Sequence, residues 1–142
     1  PKYCADNGQI DPERPRYWAA TGVNYTGNST MRGYRWADQR PLYSTMATIL
    51  PPNSELCHMA NHGGHLAAPP SSRHQGGCQI LMGEGAVIFI TDSIEAGYSR
   101  APVPYYRNAM NQNAVGEQSP YGLWGALGTR AMKETIEEQL NQ

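Results

Sequence analysis

The four histidines are the residues of this chain with the clearest potential for chemistry. Three of them, His58, His62 and His65, are spaced at i, i+4 and i+7, so on a helix they would share one face and could bind Zn²⁺ or Cu²⁺ through neutral imidazole nitrogens. Gly63-Gly64 interrupts any helix there, and no acidic residue adjoins the histidines to orient them. The alternative is a polar loop whose histidines form hydrogen bonds or face solvent.

The fourth histidine, His74, could work with a carboxylate as a hydrolytic pair, with Glu84 as the partner and His62 nearby in sequence. An apolar run separates His74 from Glu84, and as a strand it would rise about 3.3 Å per residue and hold the two side chains apart. No nucleophile accompanied by a base and an orienting group stands in the sequence. We therefore assign no catalytic residue and predict that the protein is not an enzyme. His74 is expected to fix the entry to the strand, and Glu84 to form a turn.

The element that must position His74 and Glu84 is a β-hairpin. Two runs rich in Ile, Val and Phe are joined at Gly83-Glu84-Gly85, where the glycines can adopt positive φ. Gly76 and Gly77 precede the first run. The pattern predicts a hairpin at roughly residues 78–91.

The other elements are shorter, apart from one C-terminal helix. Met132, Ile136 and Leu140 form an apolar stripe at i, i+4 and i+8 on an amphipathic helix over residues 130–140, with Thr129 as N-cap. Trp124 and Leu127 precede it and are placed to anchor its entry to the core. Aromatic and aliphatic patches at 17–18, 23–25, 33–36 and 46–50 predict short strands, and residues 55–72 a loop. The fold class is α+β, a loop-rich antiparallel sheet in a single domain of residues 1–142.

Composition narrows the class of protein. Charged residues make up only 16% of the chain, which has 15 Gly, 11 Pro and 9 Tyr, a composition more typical of an extracellular domain than of a cytosolic enzyme. The net charge of −1 with mixed signs gives no basic stripe for nucleic acid. No apolar run approaches the roughly 18 residues that span a bilayer. The chain begins at Pro1, which suggests a processed or truncated product.

The three cysteines are Cys4, Cys57 and Cys78. Cys4 and Cys57 stand in polar, turn-rich surroundings, and we expect them to form a disulfide, with Cys78 as a buried free thiol at the start of the hairpin. Three reduced thiols are the alternative, because the pairing of three cysteines cannot be deduced from sequence.

Several ordered segments of the chain resemble one known family. Nine residues separate His74 from Glu84-Gly85, a spacing that resembles the H-x9-DG signature of planctomycete prepilin-type proteins, with Glu in place of Asp and Gln75 in place of the usual Pro. Segments similar to further family motifs are Arg32–Asp38 with Trp36, Pro51-Pro52-Asn53-Ser54 followed by Cys57, Thr91–Ile94, and Tyr121–Ala131 with Trp124. The resemblance covers about residues 4–136, with 97–119 as an apparent insertion.

The resemblance implies a pilin-like architecture and a structural role. It implies an N-terminal helix, absent from this chain, packed against an antiparallel sheet, so this chain resembles the C-terminal half of a full-length member. Such a protein would be a subunit of a surface filament, a type IV pilus, a type II secretion pseudopilus or another envelope assembly. It would be extracellular, periplasmic or on the cell surface, associated with its own copies or with other subunits, and attached to a membrane only through the missing helix.

Binding of a metal ion or a glycan is the alternative to a purely structural role. The oxygen-rich segments Asp6–Asp11 and Asp92–Glu95 could hold Ca²⁺, although neither has EF-hand spacing. Aromatic residues could form a carbohydrate platform, or they could form core and subunit contacts. These aromatic residues are Tyr17, Trp18, Tyr34, Trp36, Tyr105 and Tyr106.

Overall fold

A computed structural model describes residues 8, 11–14, 19, 32–58, 66–101 and 119–129, with Cys57 and His58 described by their backbone alone. In chain order the elements are α1 (Pro41–Ser44), β1 (Cys57–His58), β2 (Leu66–Ala67), β3 (Gly77–Leu81), β4 (Val87–Thr91) and α2 (Gly122–Leu127). Strands β1 and β2 form one antiparallel pair, and β3 and β4 form another. Short helices and antiparallel ribbons joined by long loops make the fold α+β, as predicted.

The β3–β4 ribbon is the predicted hairpin, and its two faces differ in burial. Its register pairs Cys78 with Ile90 and Ile80 with Ile88. Because successive strand side chains point to opposite faces, Cys78, Ile80 and Ile90 share one face, and all three are buried. The ribbon therefore has an inner face in the core and an outer face that carries the intervening residues.

Helix α2 packs against the inner face of the ribbon through Trp124. The indole is 1% exposed and contacts the cluster of Cys78, Ile80 and Ile90. Its Nε1–H donates a hydrogen bond to the carbonyl oxygen of Leu50 at 2.8 Å. Trp124 thus joins the ribbon to the chain segment that precedes β1.

A second core cluster lies at that segment. It consists of Ile49, Leu50, Ala67, Ala101 and Tyr121, with Ala47 packed against it. The Tyr121 hydroxyl donates to the carbonyl oxygen of Ala101 at 3.4 Å, and burial raises the pKa of this hydroxyl. Helix α2 therefore contributes to both clusters: its N-cap residue Tyr121 packs in the second cluster, and Trp124 packs in the first.

Cys78 is a buried free thiol, as the sequence predicts. Burial and, to a lesser extent, the charge of Asp92 raise its pKa, which makes the thiol a poor nucleophile. The predicted disulfide falls outside the described residues, because Cys4 and the side chain of Cys57 are not among them.

The predicted strand at residues 33–36 is wrong. Residues 32–37 form turns instead. Gly33 has φ +77°, and the Asp38 N–H donates to the carbonyl oxygen of Arg35 at 2.9 Å. A positive φ and a local i to i+3 hydrogen bond are incompatible with an extended strand, so the alternation of aromatic residues here does not reflect a sheet.

Two further expectations about the first half differ from the structure. Residues 46–50 form no strand, although the Ala47 N–H donates to the carbonyl oxygen of Ala68 at 2.8 Å. Residues 55–72, expected to be loop throughout, include β1 and β2. The predicted strands at 17–18 and 23–25 and the helix at 130–140 lie outside the described residues. No helix in the described part of the chain is long and apolar enough to cross a membrane.

Candidate functional site

The turn of the hairpin is built by Gly83-Glu84-Gly85. The Gly85 N–H donates to the Met82 carbonyl oxygen at 3.0 Å, and the Met82 N–H donates to the Ala86 carbonyl oxygen at 2.8 Å. Gly85 has φ +93°, a left-handed conformation that glycine adopts without steric cost. This is the three-residue hairpin loop in which a turn is followed by a left-handed residue. The Glu84-Gly85 pair therefore makes the turn.

The opposite end of the hairpin uses two glycines for two different reasons. Gly76 has φ +85°, and its carbonyl oxygen accepts a hydrogen bond from the Asp92 N–H at 2.9 Å. A Cβ at Gly77 would lie 2.1 Å from the Ile90 carbonyl oxygen and 2.9 Å from Cζ of Phe89. Gly76 is needed for its backbone conformation and Gly77 for space.

His74 lies at this same end, before β3, with an exposed side chain. Its backbone N–H donates to Ser72 Oγ at 3.1 Å. Glu84 lies beyond the other end of β3, and the five residues of that strand alone span roughly 15 Å at the usual strand rise. The structure does not bring His74 and Glu84 together.

Asn53 joins three segments of the chain, two of which are family-like segments. Its Nδ2 donates to Asp92 Oδ1 at 2.6 Å, and its Oδ1 accepts from the Ser72 N–H at 2.8 Å. Its own N–H donates to the Pro70 carbonyl oxygen at 2.9 Å. Asn53 has φ +59°, which asparagine tolerates better than most residues. The segment after the Pro pair is thereby bonded to the chain just before the hairpin and to the chain just after it.

Glu95 ties the segment after β4 to helix α2. Its carboxylate accepts hydrogen bonds from the Leu123 N–H at 2.7 Å and from the Gly97 N–H at 2.5 Å. Its carbonyl oxygen accepts from the Trp124 N–H at 2.9 Å. Unpaired N–H groups at the start of a helix are satisfied in this way. Glu95 thus sets the position from which Trp124 enters the core.

A separate feature is the Trp36 loop, defined here as residues 32–40. The Gly33 N–H donates to the Tyr43 carbonyl oxygen at 3.1 Å. The guanidinium groups of Arg35 and Arg40 lie 5.7 Å and 5.3 Å from the centroid of the Tyr43 ring, within the range of cation–π attraction. Tyr43 is 2% exposed. The loop is therefore attached to the body of the protein through a buried aromatic ring.

Within the Trp36 loop, Asp38 and Arg40 form an ion pair. Arg40 Nε donates to the two Asp38 carboxylate oxygens at 2.9 Å and 3.0 Å, and Nη2 also bonds Oδ2. The Arg40 N–H donates to Asp38 Oδ1 at 3.1 Å. This bonding uses much of the acceptor capacity of the carboxylate.

Comparison with known proteins gives a match to one family over most of the family-like segments. Residues 4–97 match the family described as SBP_bac_10, Protein of unknown function (DUF1559). The matched residues are more than half of the chain. The chain belongs to the DUF1559 family. This is the family of planctomycete H-x9-DG type proteins. No curated protein and no solved structure is significantly similar to the chain.

The DUF1559 match includes the hairpin, Asn53 and the Trp36 loop, and it ends at residue 97, where the sequence resemblance places the start of an insertion. The resemblance at Tyr121–Ala131 lies beyond the matched residues. Trp124 of that segment is nevertheless in contact with the ribbon, so the two parts share a core.

The site residues inferred from sequence are distributed over this DUF1559 structure rather than gathered in one cleft. Gly76 and Gly77 lie at one end of the ribbon and Glu84 and Gly85 at the other, Trp124 is buried and Trp36 is 83% exposed. Of the candidate metal ligands, His58 lies in β1 with only its backbone described, and His62 and His65 fall outside the described residues. Among the side chains that are described, no three His, Cys, Asp or Glu residues are grouped to hold a metal ion.

In the two candidate calcium segments, the described Asp and Glu carboxylates accept hydrogen bonds from other groups of the protein. Asp6 is outside the described residues, and the described Asp11 forms an ion pair with Arg14 at 2.9 Å. In the second segment, Asp92 accepts from the Asn53 amide and Glu95 from backbone N–H groups. These two carboxylates serve the contacts between segments.

The sequence reasoning does not find the structural role of three residues that organise this DUF1559 structure. Asn53 enters it only as part of a family-like segment, and Asp92 and Glu95 only as candidate calcium ligands. Asn53 follows two prolines and Asp92 follows a strand, which are ordinary positions for turn residues. Asn53 and Asp92 lie inside the family-like segments, which is the signal that could have found them, and Glu95 directly follows the second of these segments. Their partners could not have been found, because the Asn53–Asp92 contact spans 39 residues.

Because of its ion pair with Arg40, Asp38 should titrate at an unusually low pH. The hydrogen bond from the Arg40 side chain is the main cause that holds the pKa of Asp38 at about 2, below its usual 3.8. A depressed pKa means that the pair stabilises the fold above about pH 4 and that this contribution is lost as the pH falls through about 2. In an NMR titration of the side-chain carboxyls, Asp38 should titrate near pH 2, and Arg40→Gln should raise its pKa.

Asp11 is the matched control for this titration. Its pKa is lowered mainly by the hydrogen bond from Arg14, so Arg40→Gln should leave the Asp11 titration in place. If Asp38 titrated at its usual pKa in the unmodified protein, the ion pair would not form in solution.

The turn glycines allow a second local prediction. Gly85→Ala should lower the free energy of unfolding by about 1 kcal/mol, because an alanine must then adopt a left-handed conformation. Gly83 has no positive φ, and a Cβ there meets nothing within 4 Å, so Gly83→Ala should change stability little. Urea denaturation of the two variants is the measurement, and equal effects at the two positions would contradict the turn geometry.

Proposed function

We propose that this DUF1559 chain is a non-enzymatic structural subunit, the exposed globular part of a pilin- or pseudopilin-like protein in a surface filament, secretion system or envelope assembly. The observation that carries the proposal is the outer face of the β3–β4 ribbon. On that face Leu81 is 71% exposed, Val87 61% and Phe89 54%. Leu81 and Val87 are directly paired across the strands, and Phe89 follows two residues later on the same face.

An apolar face of this kind is suited to contact with another subunit. Exposed apolar residues that are contiguous, rather than scattered, mark interaction surfaces. The strands carry no charged residue between Gly77 and Leu81 or between Val87 and Thr91, and charged side chains are a common means of preventing strands from associating. The ribbon thus lacks a feature that would discourage association.

The use of the motif residues also supports a structural role. Gly76, Gly77 and Gly85 serve the backbone geometry of the ribbon, Asn53 joins three segments and Trp124 fills the core. Each of these requirements concerns shape. A motif that specifies a rigid scaffold fits a subunit whose task is to present a surface.

In this proposal, the domain works outside the cytoplasm. Filament assembly and any membrane attachment run through an N-terminal pilin helix of the full-length protein, and the present domain contacts copies of itself or other envelope subunits. The content of uncharged polar residues, Gly and Pro supports the extracellular or periplasmic location.

Association through the outer face can be tested by sedimentation velocity over a range of concentrations. The double variant Leu81→Gln/Val87→Thr removes apolar surface while it retains residues that strands accept. We expect the unmodified chain to show a concentration-dependent increase in sedimentation coefficient and the double variant to remain monomeric. Tyr98→Ser is the matched control, because Tyr98 is also exposed (61%) but lies outside the ribbon.

Contacts with other envelope subunits call for a second measurement. A photo-crosslinking residue at position 81 in the native cell should give a covalent adduct to another copy or to an envelope subunit, and the same residue at position 98 should not. A monomer at every concentration together with no adduct at position 81 would refute the proposal.

A further inference from the structure

The Trp36 loop forms a shallow depression that is open to solvent. Six consecutive residues line it, Tyr34 to Gln39, and its volume is about 550 Å³. Trp36 is 83% exposed and Tyr34 61% exposed. Two aromatic rings therefore stand in solvent beside the polar side chains of Arg35, Asp38 and Gln39.

The depression is held in place by contacts beneath it. The Tyr43 carbonyl oxygen accepts from Gly33, and its buried ring lies under the guanidinium groups of Arg35 and Arg40. The Ser44 hydroxyl donates to the Asp38 carbonyl oxygen at 3.2 Å. A loop fixed in this way loses less conformational entropy when it binds a ligand, and the exposed rings are displayed by a supported backbone.

The charges of the loop are unequal. Asp38 is bonded to Arg40 and is also close enough to Arg35 for the Arg35 charge to lower the Asp38 pKa. Of the three arginines in the loop, Arg35 and Arg40 share its one carboxylate, and that carboxylate is bonded to Arg40. Arg35 lines the depression, and the loop retains positive charge there. A ligand carboxylate beside Arg35 would balance this charge.

We propose that the Trp36 loop binds an acidic saccharide, with a sugar ring stacked on the Trp36 indole and a sugar carboxylate paired with Arg35. The apolar C–H face of a sugar ring fits the electron-rich face of an indole. A guanidinium can bind a carboxylate through two parallel hydrogen bonds. The Gln39 side-chain amide, which can both donate and accept, offers hydrogen-bond partners to ring hydroxyls. This binding site is independent of the structural role proposed above.

A saccharide fits the depression better than the other polyanion classes. Nucleic acid binding uses a stripe of several basic residues, whereas Arg35 is the one basic residue that lines this depression. Small-ligand sites are concave and combine aromatic surface with a few polar groups that set orientation. The Trp36 loop has this composition within six residues.

The test is isothermal titration of the full chain with three soluble hexasaccharides. Two carry carboxylates, hexagalacturonate and the hyaluronate hexamer, and one is neutral, cellohexaose. We expect at least one acidic hexamer to bind about tenfold or more tightly than cellohexaose, as expected for one charge-assisted pair. Its affinity should fall as salt is added.

Variants of the loop identify the site. Trp36→Ala should abolish binding of the acidic hexamer, and it should leave the urea midpoint unchanged because the side chain is largely exposed. Arg35→Gln should remove the preference for the acidic hexamer, and Arg35→Lys should retain part of it. Tyr98→Ala, at an exposed aromatic residue outside the loop, is the control and should bind normally.

Several results would overturn the proposal. These are no binding of either acidic hexamer, equal or tighter binding of cellohexaose, and binding that survives Trp36→Ala. Capture of a protein partner through Trp36, with no saccharide bound, would overturn it as well. Because the outer face of the ribbon is intact in every loop variant, failure here leaves the sedimentation result unaffected, and the two proposals can fail separately.

Discussion

Replacing Trp124 with alanine lowers the free energy of unfolding by about 3–5 kcal/mol, the largest effect expected for a single substitution in this chain. The indole is 1% exposed and packs against Cys78, Ile80 and Ile90. Its removal leaves a cavity between α2 and the ribbon, and it also removes the hydrogen bond to the Leu50 carbonyl oxygen. Equilibrium urea denaturation measures the loss.

Trp124→Phe separates the two parts of this effect. Phenylalanine retains most of the apolar packing but cannot donate to the Leu50 carbonyl oxygen, so its cost should be about 1–3 kcal/mol, that of a buried acceptor left without its partner. A loss of less than 1 kcal/mol for Trp124→Ala would show that α2 does not pack on the ribbon in solution.

Replacing Asn53 with alanine has the second largest expected effect, a loss of about 2–4 kcal/mol. Two side-chain hydrogen bonds disappear, one to Asp92 and one from the Ser72 N–H, each contributing on the order of 1 kcal/mol. Alanine must also adopt the positive φ of this position, at a cost of about 1 kcal/mol. Urea denaturation of the variant again gives the magnitude.

Asn53→Gly is the matched variant, because glycine accepts positive φ but has no side chain to bond Asp92. It should lose about 1 kcal/mol less than Asn53→Ala. If the two variants had equal stability, the backbone strain would be negligible. If neither lost stability, the contact between the segment at Asn53 and the hairpin would not exist in solution.

The Trp36 loop shows where local patterns mislead. Gly33-Tyr34-Arg35-Trp36 has the aromatic content of a strand, yet it forms turns. Its backbone is held by Tyr43, and its aromatic rings face solvent. Aromatic enrichment reflects a half-buried surface in most proteins. Here Trp36 and Tyr34 are largely exposed, whereas Tyr43, which follows the loop in the chain, is buried.

The ribbon shows where local patterns suffice. Two apolar runs separated by Gly83-Glu84-Gly85 contain both the strand tendency and the turn conformation within fifteen residues. The observed strands, Gly77–Leu81 and Val87–Thr91, differ from the predicted hairpin by one residue at its start. Sequence patterns also identified the family-like segments that the DUF1559 match includes.

By itself, then, the sequence determined the hairpin, its turn, the α+β class and the family, because each of these depends on residues that are neighbours in the chain or on the order of short motifs. Only the tertiary structure decided which residues meet. The bond from Trp124 to Leu50 joins positions 74 residues apart, and that from Asn53 to Asp92 joins positions 39 apart. Such contacts arise from the simultaneous packing of several segments, for which a single sequence has no local signal.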